Sequence, residues 1–201
     1  MIKLINLLKE QNILIPRRSK EERSKNYLIA VQKQIQQYIK DGSKGDLDLE
    51  NTPILSLPDN LKVGGDLDLN QSKIISLPDN LTVKGDLFLM NTSITSLPNN
   101  LTVGGDLFLH GSTKITSLPN NLTVKGDLDL NNTKLTSLPN NLTVGGDLYL
   151  DNSRIISLPN DLIVKGNLSL VNTPISKKYS KQQIKSMVPG VKKNIKISIY
   201  N

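Results

Sequence analysis

The chain has 201 residues, a formal net charge of +7, aromatic residues at only 3% and no cysteine. That length suits one domain with small appendages, and a core so poor in aromatic rings must be aliphatic. Without thiols, disulfides, thiolate metal ligands and cysteine nucleophiles are excluded, and no run of about eighteen apolar residues is present to cross a membrane as a helix.

The chain opens with MIKLINLLKEQNILIPRRSKEER, where Lys3, Lys9 and Glu10 interrupt the apolar residues and no small-residue cleavage site follows. The expectation is therefore no secretory signal. Within it, IKLINLLKE is a short amphipathic segment that reads either as a docking peptide or as part of a cap. Ser19 and Glu22 then stand at capping-box spacing and Gly42 closes the pattern, framing a helix of about twenty residues. Its apolar stripe, Tyr27, Leu28, Val31, Ile35, Tyr38 and Ile39, is expected to cover the first unit of a repeat that begins at Gly45.

The repeat is regular. Gly45, Gly65, Gly85, Gly105, Gly126, Gly146 and Gly166 open units spaced by 20 residues, with a single 21-residue interval after Gly105. The shared pattern is G-D-L-x-L-x-x-T-x-I-x-S-L-P-x-N-L-x-V-x, so residues 45–176 hold six full units and a partial seventh. Alternation such as Asp66, Leu67, Asp68, Leu69, Asn70 is the period-2 signature of a strand buried on one face. The remaining apolar positions must carry the chain back around the core before the next strand. Prolines 58, 78, 98, 119, 139 and 159 keep that return limb extended or 3₁₀ rather than α-helical, and the Asp/Asn pairs after them favour a turn. Each unit buries its leucines only against its neighbours, so this is a solenoid whose ends need caps.

The stretch LDLNQSKIISLPDNL resembles a leucine-rich repeat: an L-x-L strand, a polar residue, then I-x-x-L-P. Its period is similar to the short repeats of bacterial effectors, and the form LPDNLTVGGDLDL, which stands as LPDNLKVGGDLDL at residues 57–69, is more similar still to repeat proteins encoded by tailed bacteriophages and some bacteria. The resemblance covers 45–176 and implies a leucine-rich-repeat-like solenoid with a parallel β-sheet and few helices outside the caps. A two-sheeted β-solenoid is the alternative, because NLTV in the return limb has strand character. The usual asparagine ladder is replaced by hydroxyls at Thr52, Ser72, Thr92, Thr113, Thr133, Ser153 and Thr173, which could bond backbone groups of adjacent units. The phage resemblance implies residence in a bacterial cytoplasm or attachment to a virion.

Residues 177–201 form a basic C-terminal cap. SKQQIKSMVPG reads as a short helix, and VKKNIKISI repeats the register of VKGNLSL, which predicts an eighth, degenerate strand over 194–200. The lysines here can discourage an exposed sheet edge from pairing with another chain. By segment, residues 1–44 carry +6, 45–176 carry −6 and 177–201 carry +7, which sum to the net charge. Basic ends around an acidic middle disfavour a nucleic-acid groove, though a polyanion could still contact the ends.

Three outward columns line the strands. The first is nearly all aspartate, read here as bonding the backbone of its own turn; a calcium site needs converging oxygens that one column does not supply. In the second and third columns Phe88, Met90, Phe108 and His110 are neighbours, with Tyr149, Asp68 and Asp129 in the same second column. These seven residues are the candidate partner-binding site, and the extra residue near Gly111 is expected to form a bulge beside it. The residue before each repeat glycine alternates between Lys and Gly, which suggests charge compensation or a two-unit duplication. With one histidine, no cysteine and no phosphate loop, neither an enzyme nor a cofactor or metal is expected. The expected function is binding a protein, phage structural or host, on the strand face; a structural part of a virion or other assembly is the alternative.

Overall fold

The structure, a computed structural model, describes residues 19–197. The repeat units stack as a β-solenoid with two parallel sheets. The first sheet has eight strands in chain order: Leu47–Asp48, Leu67–Asp68, Leu87–Phe88, Leu107–Phe108, Leu128–Asp129, Leu148–Tyr149, Leu168–Ser169 and Ile195–Lys196. The return limbs pair as well, from Lys62–Val63 to Ile163–Val164, giving a second sheet of six. Of the two architectures the sequence leaves open, the two-sheeted one forms, because each x-Val dipeptide repeats in register with its counterpart one turn on.

Between the sheets each turn buries one set of aliphatic side chains. In one such turn these are Leu87, Leu89, Ile94, Leu97, Leu101 and Val103, all buried. Burying one such side chain contributes about 1.5–3 kcal/mol, and no turn can do so alone. The strands are two residues long because the chain turns sharply after each L-x-L. The turning residue adopts left-handed φ in every unit: Asn51, Gln71, Asn91, Gly111, Asn132, Asn152 and Asn172. A second left-handed corner follows the proline at Asn60, Asn80, Asn121 and Asn141. There the side-chain amides bond from turn to turn, as in Asn80 Nδ2 to Asn60 Oδ1 at 3.1 Å and Asn141 Nδ2 to Asn121 Oδ1 at 3.0 Å.

The hydroxyl column is buried, but it mainly serves its own turn. Thr52, Ser72, Thr92, Thr133 and Thr173 each donate to the carbonyl three residues earlier, at 2.6–2.9 Å. In the long unit Ser112, not Thr113, fills the slot; its Oγ bonds Leu89 O of the preceding turn at 2.6 Å, and Thr113 is exposed. The extra residue is therefore no bulge in the sheet. It is taken up by a turn at Thr113 and Lys114, and the pairing of Leu107 with Leu128 continues undisturbed.

Helix α1 (Lys20–Lys40) begins with the expected capping box between Ser19 and Glu22. Val31 and Ile35 are buried over the first turn and Tyr38 packs partly buried beside them, while Tyr27 and Ile39 stay exposed. The helix also satisfies the first strand's open edge: Gln34 Nε2 donates to Asp48 O at 2.9 Å and Tyr38 Oη to Gly45 O at 2.7 Å. The amphipathic segment near the N-terminus lies outside the described residues. At the far end the seventh unit closes with α2 (Pro174–Lys178), and α3 (Lys181–Met187) comes next. The last strand pairs Ile195 with Leu168 and Lys196 with Ser169, and Val191 bridges Val164, in the register the repeat predicts; residues 198–200 lie outside the described range. Among the described residues no helix is long and apolar enough to cross a membrane.

The aspartate column joins one turn to the next. Asp46 Oδ1 accepts the backbone N–H of Asp66 at 2.8 Å, and the same bond recurs from Asp66 through Asp147, which receives Asn167 N–H. These bonds span turns, whereas the sequence pattern points to bonding within one. They also require the glycine before each aspartate: a Cβ on Gly105 would lie 2.0 Å from Asp86 Oδ1. Gly105→Ala must expel that carboxylate, and is expected to destabilise the protein by at least about 2 kcal/mol. Thermal denaturation followed by circular dichroism checks this; an unchanged midpoint would show the carboxylate contact to be dispensable.

Candidate functional site

The outer face of the first sheet presents the three columns. Pairing aligns Asp68 with Phe88, Phe88 with Phe108, and Phe108 with Asp129. The two phenyl rings stack with centroids 5.0 Å apart and planes within 6°, and both remain half-buried rather than enclosed. Strand spacing of about 4.8 Å imposes that separation once both residues occupy the same column. Met90 and His110 stand one position along the third column, also half-buried.

The phenylalanines interrupt a hydrogen-bonding pattern. Elsewhere a second-column aspartate accepts the N–H two residues on: Asp48 from Glu50 at 3.0 Å, Asp68 from Asn70 and Asp129 from Asn131 at 2.8 Å. Met90 N–H is met instead by Asn70 Oδ1 of the previous turn at 2.8 Å. Phe108 has no acceptor and the Met90 thioether is only a weak one, so His110 N–H lacks the side-chain oxygen that this face supplies at Glu50, Asn70, Met90 and Asn131. A phenyl in this column thus costs the local hydrogen bond that aspartate makes.

His110 Nδ1 lies 3.8 Å from Asp129 Oδ2, and its Nε2 is 3.2 Å from Asn132 Nδ2. The imidazole is 43% exposed against 18% for the Asp129 side chain. Burial raises the Asp129 carboxyl above its ordinary value, opposed by the Asn131 N–H and by His110. Asp129 therefore gains from a cationic neighbour.

Tyr149 does not join the aromatic pair. The turn bearing Asp129 stands between it and Phe108, and its hydroxyl donates to Asp147 Oδ2 at 3.2 Å. It belongs to a separate concavity of about 510 Å³, walled by Asp147 and Asp151 on one side and by Lys181 and Lys196 of the C-terminal cap on the other. A smaller hollow of about 220 Å³ opens at the opposite end of the stack, lined by Asp46, Asp48, Asp66, Asp68 and Phe88. Column position in the sequence brings Phe88, Phe108, Met90, His110, Asp68 and Asp129 into one patch. Asp46 and Asp66 also line the hollow, although the sequence pattern marks them only as turn formers.

The alternating lysines make no ion pair with the aspartate ladder among the described residues. Sterics explain part of the alternation: a Cβ at Gly104 or Gly145 would lie 2.0 Å from the carbonyl oxygen of Lys84 or Lys125 in the preceding turn. Also among the described residues, no group of three or more His, Asp or Glu converges to hold a metal ion.

No protein-family model and no curated protein matches the chain.

The Asn167 backbone N–H, then its side-chain amide, hold the Asp147 carboxyl below its ordinary value, with the Tyr149 hydroxyl and Lys193 acting the same way. The stability this contributes is complete above the unfolded-state value, near 3.8, and is lost as pH falls through the lower folded-state value. Asp147→Asn keeps an acceptor for Asn167 but no longer titrates. Melting curves from pH 7 to pH 2 should therefore show a shallower loss below about pH 3.8 in the variant; parallel curves for both proteins would refute the assignment.

Proposed function

We propose that this chain is a non-enzymatic protein-binding module whose strand face docks a partner through the stacked Phe88–Phe108 pair, with Met90 and His110 beside it and Asp68 and Asp129 at its edges. The observation that carries this reading is the half-buried phenyl stack standing in the column where the turns on either side of it place the hydrogen-bonding aspartates Asp68 and Asp129. Stacking contributes about 0.5–1.5 kcal/mol to stability, set against the hydrogen bonds that aspartate would make. Aromatic side chains that stay partly accessible on a surface are common anchors of interfaces. Tyr149 is a peripheral contact in this reading.

The repeat's likeness to leucine-rich repeats of phage-encoded proteins extends the proposal: a bacterial cytoplasm or a virion is then the setting, and a phage structural or host protein the partner. A structural role in an assembly would instead work through the basic ends.

The test is affinity capture from the source lysate with wild type beside the Phe88→Ala/Phe108→Ala variant. Losing the stack together with the partial burial of two rings costs about 2–4 kcal/mol, so circular dichroism first verifies that the variant is folded. It should retain at least tenfold less of the specific partner by quantitative mass spectrometry. Identical retained proteins in both lanes would defeat the proposal.

A further inference from the structure

Charge on this solenoid is segregated by face. Of the fourteen acidic residues between 45 and 176, all but Asp59, Asp79 and Asp161 lie in the three strand-face columns, and none of the eight Lys and Arg residues of that segment does. The first two turns are the most acidic, with Asp46, Asp48, Glu50, Asp66 and Asp68, and the second of them adjoins Phe88. The hollow formed by Asp46, Asp48, Asp66, Asp68 and Phe88 has four carboxylates, one phenyl wall and no basic side chain in its lining. Asp46 and Asp66 each spend one oxygen on the next turn's backbone, and Asp48 and Asp68 each spend one on their own turn. The second oxygen of each makes no hydrogen bond or ion pair among the described residues, and no cation among those residues pairs with the hollow's carboxylates. A wall of carboxylates beside the face of an aromatic ring is the environment that a guanidinium or ammonium group prefers.

Resting on the reading of the strand face as a docking surface, we infer that its partner presents an extended basic–apolar segment: an Arg or Lys in the four-carboxylate hollow, and an aliphatic or aromatic side chain on the Phe88–Phe108 stack. The spacing supports this. Asp68 and Phe88 are neighbours across one strand interval and Asp68 and Phe108 across two, about 5–10 Å. Side chains i and i+2 of an extended peptide lie on one face about 6.8 Å apart. The recognised pair is therefore a basic residue two positions from an apolar one. The opposite end of the face is walled by Lys181 and Lys196, which disfavours a second cation there and gives the segment a direction.

The experiment is selection of yeast-displayed random nine-residue peptides on the full-length protein, with the Phe88→Ala/Phe108→Ala and Asp48→Asn/Asp68→Asn variants selected in parallel. Circular dichroism verifies that each variant is folded. Enriched peptides are expected to carry Arg or Lys two positions from an apolar residue. They should bind the asparagine variant at least tenfold more weakly and lose affinity as salt rises. Peptides that need the phenylalanines but carry no such cation would overturn this inference and leave the docking face standing. Binding indifferent to the phenylalanines, or no enrichment at all, would overturn both. Concentration-dependent self-association of the wild type that is lost in Phe88→Ala/Phe108→Ala but kept in Asp48→Asn/Asp68→Asn would show a second copy of this chain, held without a cation in the hollow, to be the occupant and overturn it as well.

Discussion

Everything in this molecule hangs on the contact between an aspartate carboxylate and the backbone N–H one turn further along. From Asp46 to Asp147 each such bond fixes the vertical register of the next turn. It occupies the space a side chain would need before the next aspartate, so Gly and Asp act as a unit and neither can change alone. A bond made by a charged acceptor is stronger than a neutral one, and repeating it once per turn aligns both sheets. The same constraint places a row of carboxylates along the outer face whatever else that face does.

Against that background the second and third columns are free to vary, because their side chains do not set the register. Two turns exchange aspartate for phenylalanine there, and strand spacing then leaves the rings no arrangement but a parallel stack. The carboxylates on either side are consequences of the fold, but their juxtaposition with an apolar plateau creates a surface with two chemically distinct halves. His110 lies 3.8 Å from Asp129, one turn from the stack.

The ends solve a different problem. A stack of turns exposes its core and its strand edges at both termini. Helix α1 covers the first turn with Val31 and Ile35 and satisfies edge carbonyls with Gln34 and Tyr38. The other end is closed by Ile184, Val188 and Ile195, with the lysines of that segment on its surface. Capping is thus achieved by different chemistry at each end, one a long amphipathic helix, the other a degenerate continuation of the repeat.

Much of this was legible in the chain itself. A 20-residue period with inward leucines dictates a solenoid, since no unit can bury its own apolar face. The Ser19–Glu22 box and Gly42 bound the first helix by local hydrogen bonding, and the match of VKKNIKISI to VKGNLSL determined the register of the last strand. The adjacency of Phe88 and Phe108 also followed from column position. Tertiary structure alone decided what depends on contacts across turns. The return limbs paired into a second sheet because their neighbours offered matching backbone groups. The aspartates bonded forward rather than locally because the glycine left room for them. Ser112 displaced Thr113 because the extra residue could turn outward only after the buried hydroxyl. A sequence displays the period of a repeat, but the distance between successive turns, and so the partner each polar atom meets, exists only once the turns are stacked.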